Sequence, residues 1–291
     1  MQSSVLGGPP GDLWISPSLV FLETSMTAIG IVGTKAGFVI GADGRMRATD
    51  ESRTMADQVS LASETDEARK IFEIIDRDRV LAYAVTGFVK LGAFLVWEEM
   101  RRKIAFLSSR DFGSCKKYVT ALCDRLTDDL NQAAASHTTG PLPAGTYKTE
   151  RGDAWKIFDI FTVGYFKGVP SLIVSQFYHS NGIRVDCDVN SYPYKSTLLS
   201  GSALVKEAMY PERGGVADAR FSAYTKQLSD SSSLQDAADY VKGYISACSS
   251  DLAREMDYDK WKIIGGHIHI AHVAPSSFEW MRPPKQLASH L

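Results

Sequence analysis

Four residues in the first third of this 291-residue chain could assemble an acyl-transfer centre: Thr27, Asp43, Lys70 and Gly87. A threonine whose own α-amine is free carries a nucleophilic hydroxyl and a general base in one residue, the combination that attack on an amide carbonyl requires. A nearby ammonium lowers the pKa of both amine and hydroxyl, and a carboxylate keeps that ammonium charged and oriented. Lys70 and Asp43 are of the types for those roles. At Gly87 the missing Cβ lets a substrate carbonyl approach the backbone N–H, which would stabilise a tetrahedral oxyanion. Each residue is ordinary in isolation, since threonine suits strands and aspartate suits the turns after them. The chemistry depends on whether the fold brings them together.

The elements that must do so begin at once. Thr27–Val32 and Phe38–Ala42 read as short strands separated by Gly33-Thr34-Lys35-Ala36-Gly37, and a hairpin centred on Lys35 sets Thr27 opposite Asp43. Arg45–Glu67 is polar and reads as a loop or insertion. Lys70–Ile75 and Val80–Val85, joined by the charged turn Asp76-Arg77-Asp78-Arg79, predict a second hairpin. After Gly87 the apolar spacing turns helical, through Leu91, Phe94, Leu95 and Ile104, then Tyr118, Leu122, Leu126 and Leu130. Ala134–Asp153 reads as loop; Trp155–Val163, Leu172–Tyr178 and Ser196–Leu199 read as strands; residues 202–227 read as helix broken near Pro211–Gly215. Ser233 with Asp236 predicts a capping box on a last helix that buries Leu234, Val241, Ile245 and Leu252. Gly265-Gly266 opens a final strand, His267–Val273, and Pro275–Leu291 reads as irregular. Strands, two helices, strands, two helices and a strand cannot be a run of βαβ units, and predict two antiparallel sheets face to face with helices outside.

Composition bounds the function. With 44% hydrophobic and 23% charged residues the chain reads as an ordinary globular protein of one domain. A formal charge of −2 gives no broad attraction for nucleic acid or acidic membranes. No stretch approaches the roughly 18 uninterrupted apolar residues of a membrane-crossing helix. Leu13–Leu22 is apolar, but Pro17 interrupts it and no Lys or Arg precedes it as in a secretory signal, so a cytoplasmic protein is expected. Cys115, Cys123, Cys187 and Cys248 show no metal-ligand or paired spacing and read as reduced core residues. His267 and His269 share a strand face and could ligate a metal, with His272 on the other face. With no Cys or Glu beside them they read as structural or solvent-facing, and neither a metal nor a cofactor is expected.

Particular segments carry a resemblance. TAIGIVGTKAGFVIGADGR at Thr27–Arg45 resembles the opening of proteasome β-type subunits and of the related bacterial peptidase. ARKIFEI at Ala68–Ile74 is similar to the family strand whose lysine assists the nucleophile, and AYAVTG at Ala82–Gly87 to the glycine turn before the first long helix. Ser200-Gly201-Ser202 and Gly265-Gly266 are weaker echoes. The resemblance implies an α+β, four-layer αββα sandwich of the N-terminal-nucleophile (Ntn) hydrolase type. It implies a threonine peptidase with Thr27, Asp43, Lys70 and Ser200 in the catalytic set and Gly87 at the oxyanion. It also implies a pocket from Met46, Ala68 and Val85, all apolar, favouring a hydrophobic side chain of a peptide or unfolded-protein substrate. Residues 1–26 would be an extension or leader, 27–274 the domain and 275–291 a tail. The expected partners are copies of the same chain in a closed ring, with an ATPase or other activator left unidentified.

The chain also departs from that pattern. Met26 stands where self-processing members have glycine, Trp261 and Ile264 where the family has Asp and Ser, and the interval from Asp43 to Lys70 is longer by about a dozen residues. Asp257 or Asp259 would substitute only with a shifted register. Translation from Met26 followed by methionine removal would expose Thr27 directly. Two alternatives stand beside the peptidase: a non-catalytic ring subunit, and an amidase for small molecules with the same nucleophile.

Overall fold

Stretches rich in β-branched and aromatic residues alternate with stretches of helical apolar spacing, and the computed structural model follows that alternation. It describes residues 24–25, 27–47, 63–88, 90–91, 94–137, 145–149, 152–179, 184–211 and 215–285. β1 (Thr24–Ser25) precedes the hairpin of β2 (Ile29–Thr34) and β3 (Gly37–Ala42), followed by β4 (Met46–Arg47) and β5 (Ser63–Thr65). β6 (Ile71–Ile75) and β7 (Arg79–Phe88) form the second hairpin, and β8 (Lys90–Leu91) and β9 (Phe94–Leu95) lead to helices α1 (Val96–Leu107) and α2 (Cys115–His137). Then come β10 (Gly145–Thr149), β11 (Gly152–Phe166), β12 (Val169–His179), β13 (Val185–Tyr192) and β14 (Thr197–Ser200). Helices α3 (Ala203–Met209), α4 (Leu234–Cys248), α5 (Asp251–Met256) and α6 (Tyr258–Trp261) precede β15 (His269–Val273) and β16 (Phe278–Arg282).

The strands build two antiparallel sheets. One runs β1-β7-β11-β12-β13, with β6 also on β7 and β10 on β11; the other runs β14-β2-β3-β15-β16. Their facing surfaces share one core, with Ile29, Ile31, Phe38 and Ile40 against Ala82, Ala84, Phe161 and Val163. The far face of the larger sheet buries Leu81, Tyr83, Phe158 and Phe177 with Tyr118, Leu122 and Leu126 of α2. The far face of the smaller sheet buries Val32, Val39 and Ile270 with Val241, Tyr244 and Ile245 of α4. Both faces of β2 and β3 are thereby covered, which is why their sequence is nearly continuous in apolar residues. Each large side chain buried this way contributes about 1.5–3 kcal/mol of transfer free energy. The α+β arrangement of two antiparallel sheets with helices is the one expected from the element order.

Helix α4 starts at the predicted capping box: Ser233 Oγ accepts the Asp236 N–H, and the Asp236 carboxylate accepts the Ser233 N–H. It lies unusually close to the sheet beneath it. Gly30 and Gly41 are cross-strand partners in β2 and β3, and a Cβ on Gly41 would stand 2.5 Å, and on Gly30 2.9 Å, from Val241 Cγ1 of α4.

Several boundaries differ from expectation, each for a physical reason. The first hairpin turns on two residues, Lys35 and Ala36, and pairs Ile29 with Ala42, so Ala28 rather than Thr27 comes opposite Asp43. Gly33 pairs with Phe38 inside the strand, where a Cβ would lie 1.9 Å from the Tyr194 carbonyl oxygen; packing, and not a turn, demands that glycine. Leu91, Phe94 and Leu95 belong to β8 and β9, not to a helix. The expected loop at Ala134–Asp153 holds the end of α2, β10 and the start of β11. Among the described residues of 202–227, helix comprises α3 and a 3-10 turn at Ala219–Phe221. The polar alternation of β13 was not read as strand. Arg45–Glu67 carries the β4–β5 pair, with 48–62 outside the described residues. Phe278–Arg282, read as irregular, is β16 and covers the edge of β15.

Candidate active site

The site forms where β3 ends. Asp43, fully buried, accepts backbone N–H groups from Ala28 at 2.9 Å, Gly265 at 2.9 Å and Arg45 at 3.2 Å. Lys70 Nζ reaches both carboxylate oxygens at 3.3 Å. The two strand systems thus converge on one carboxylate: Asp43 follows β3, and Lys70 immediately precedes β6. Burial pushes the Asp43 carboxyl up, against the pull of the Lys70 ammonium and the Gly265 and Ala28 N–H groups. Burial likewise pushes Lys70 down, against the pull of Asp43. Burial thus opposes the charged form of each partner, and their mutual ion pair with the converging N–H groups offsets that cost.

Thr27 links the sheets, since β1 before it belongs to the larger sheet and β2 after it to the smaller. Its N–H donates to Thr86 Oγ1 at 3.1 Å, and the Thr86 hydroxyl donates back to the Thr27 carbonyl at 3.2 Å. Thr27 Oγ1 is buried and has no hydrogen-bond partner among the described residues. The amide that follows it, at Ala28, is one of the donors on Asp43, which ties the threonine to the Asp43–Lys70 pair.

Gly87 has φ +107, and a Cβ there would lie 2.6 Å from the Ile157 carbonyl oxygen, so the position is restricted to glycine by packing as well as conformation. In the full chain its cross-strand partners are Ser25 of β1 and Phe158 of β11, so the chain's own segment runs along this edge. Ser200 closes β14 opposite Ile29. Two residues on, Ser202 caps α3 at the Val205 N–H and donates to Asp257 at 2.6 Å. Asp257 is therefore turned to Ser202, and Asp259 pairs with Lys262. Among the expected pocket residues, Met46 is half-buried, Ala68 is buried with its N–H on the Gly44 carbonyl, and Val85 lies in the core shared with α1 and α2. Trp261 donates its indole N–H to the Ser249 carbonyl and Ile264 is buried. Met26 lies outside the described residues.

Two residues of this neighbourhood escaped the sequence reading of the site. Thr86 follows the largely apolar run Val80–Val85 just before Gly87, and an aliphatic hydroxyl at that place was the available signal. His269 was noticed only as half of a histidine pair. It is fully buried, with Nε2 accepting the Lys70 backbone N–H at 3.1 Å. His267 instead contacts the Pro283 carbonyl and His272 the Ala36 carbonyl. Among the described residues no group of three or more His, Cys, Asp or Glu could hold a metal ion, and no helix is long and apolar enough to cross a membrane.

No protein-family model matches the chain, and no curated protein matches it. Solved structures that it resembles include Anbu (ancestral beta-subunit) from Yersinia bercovieri, at 12% identity and TM-score 0.48, covering 88% of this chain and 87% of that one. Another is an Anbu (Gly-1) mutant from Hyphomicrobium sp. strain MC1, at 13% identity and TM-score 0.49, with the same coverage. These matches correct the resemblance drawn from the sequence segments. The neighbours are Anbu proteins, proteasome-like but distinct from the β-type subunits and bacterial threonine peptidases expected, and the relationship is a distant one.

Proposed function

We propose that this chain, once Thr27 becomes its N-terminus, is a threonine-type hydrolase of peptide amide bonds, built on a four-layer αββα sandwich. The observation that carries the reading is the convergence on Asp43: a buried carboxylate binds the amide next to Thr27 and the Lys70 ammonium together, beside a threonine hydroxyl that has no partner among the described residues. In the reaction the free α-amine takes the Oγ1 proton as Oγ1 attacks the substrate carbonyl carbon, and the oxyanion is stabilised by the Gly87 N–H. The intermediate collapses as the amine returns that proton to the leaving nitrogen, and water then hydrolyses the acyl-threonine. Thr86, bonded to the Thr27 nitrogen, would orient the amine. The reading includes a peptide with a hydrophobic residue before the scissile bond, a cytoplasmic setting and a closed ring of copies. A monomer in light scattering would remove the ring from it.

The test uses protein beginning at Thr27. It should turn over peptide amides and be labelled by an electrophile that traps N-terminal threonine, and Thr27→Ala should abolish both while folding is retained, since losing one hydroxyl and one methyl costs about 1 kcal/mol. Neither turnover nor labelling in the folded Thr27-initiated protein would overturn the proposal. A second reading, a non-catalytic chain, is favoured by one observation: β1 covers the edge at Gly87 in the full chain.

A further inference from the structure

We infer that His269 is a positioning residue of this site, fixing through its Nε2 the backbone of Lys70 and hence the point from which the lysine side chain reaches Asp43. The inference rests on reading Thr27, Asp43 and Lys70 as an active site. Lys70 lies one residue before the β6–β7 ladder, whose pairing begins at Ile71 with Ala84, so its N–H is left out of that ladder. A buried N–H at such a place needs an acceptor, and the imidazole supplies it at 3.1 Å. β15 is an interior strand between β3 and β16, and His269 shares it with Ala271 and Val273 of the apolar core between the sheets. An aliphatic residue would suit that row better, so packing does not account for the histidine.

The tautomer follows from the contact. With Nε2 accepting, the ring proton sits on Nδ1, which is buried and on the side where the His267 backbone favours a ring proton. The ring thereby satisfies the Lys70 N–H while keeping its own proton on the opposite nitrogen. Trp280 of β16 meets it edge-on with centroids 6.0 Å apart, and Arg69 lies over the far ring at 5.6 Å, so its orientation is held by packing. Burial opposes an imidazolium first, the charges of Lys70, His267 and Arg69 add to it against the pull of the His267 backbone, and Asp43 beyond the cross-strand neighbour Ala42 is taken by Lys70. His269 therefore stays neutral and keeps its acceptor.

The test compares His269→Gln, His269→Asn and His269→Ala in the Thr27-initiated protein. Glutamine can place its Oε1 near the position of Nε2, whereas asparagine reaches only to that of Nδ1. In wild type, nitrogen NMR of the ring should give an unprotonated Nε2 and a protonated Nδ1. Exchange of the Lys70 amide should stay slow in His269→Gln and quicken in the other two. The rate of electrophile labelling should fall about tenfold in His269→Ala and His269→Asn and by no more than about threefold in His269→Gln. A protonated Nε2, a folded His269→Ala that labels at the wild-type rate, or equal losses in the Gln and Asn variants would overturn the inference. Should wild type itself not label, the hydrolase reading fails, and the ring tautomer with Lys70 amide exchange still decides the positioning role.

Discussion

Two buried carboxylates in this molecule are held in opposite ways. Asp43 receives three backbone N–H groups, from Ala28, Arg45 and Gly265, besides a lysine whose side chain is only 6% exposed. Asp159 of β11, the cross-strand partner of Thr86, is equally buried but pairs only locally with Lys156, whose side chain is 35% exposed, and its Oδ1 has no partner among the described residues. Burial pushes both carboxyls up. The contrast shows that donors converging from distant segments fix a carboxylate, while burial and an ion pair alone do not. Asp43 is a junction of three chain segments; Asp159 is an acid with an unused lone pair.

Replacing Asp43 should break the more tightly held of the two. Asp43→Asn leaves the Lys70 ammonium buried without a counter-charge and turns an amide N–H₂ toward backbone donors, so denaturant unfolding should show a loss of about 3–5 kcal/mol. An intermediate effect concerns acid. Burial, with Lys70 and His267 nearby, holds His269 down to about 3 against its ordinary 6.5. Because its folded pKa is the lower one, its contribution is fully present above about pH 6.5 and is lost as pH falls from there toward about 3. Urea midpoints should therefore decline over that window in wild type and decline less in His269→Gln. The smallest effect belongs to Asp159. Its raised carboxyl contributes stability that is present below its ordinary value near 3.8 and lost as pH rises through the shifted value. Asp159→Asn should thus stay within about 1 kcal/mol of wild type at neutral pH and flatten that slope, a loss comparable to that of Asp43→Asn removing the contrast altogether.

Much of this was legible in the chain. Short β-type runs on either side of a glycine-bounded or charged turn marked both hairpins, and Ser233 with Asp236 marked the head of α4, because hairpin turns and caps are local devices. What stayed hidden was set by distant contacts. Gly33 looked like part of a turn, yet the carbonyl of Tyr194, far along the chain, is what excludes a side chain there, and the turn moved with it. His269 looked like an edge residue because β16, which encloses β15, comes from a segment without a clear strand pattern. Thr86 carried no periodic signal at all; its role appears only when Thr27 arrives between the sheets.

The glycine pair under α4 has a consequence for how such a chain can change over generations. Gly30 and Gly41 sit side by side, and Val241 presses on both, so the three positions form one unit of variation. A methyl gained at either glycine must be matched by a smaller residue at position 241 or by a helix displaced outward, and displacement would disturb the apolar contacts that α4 shares with Val39 and Ile270. Diverging copies of this protein should therefore drift at these sites in step or not at all, leaving a covariation signature that ties the helix to the strand register beneath it.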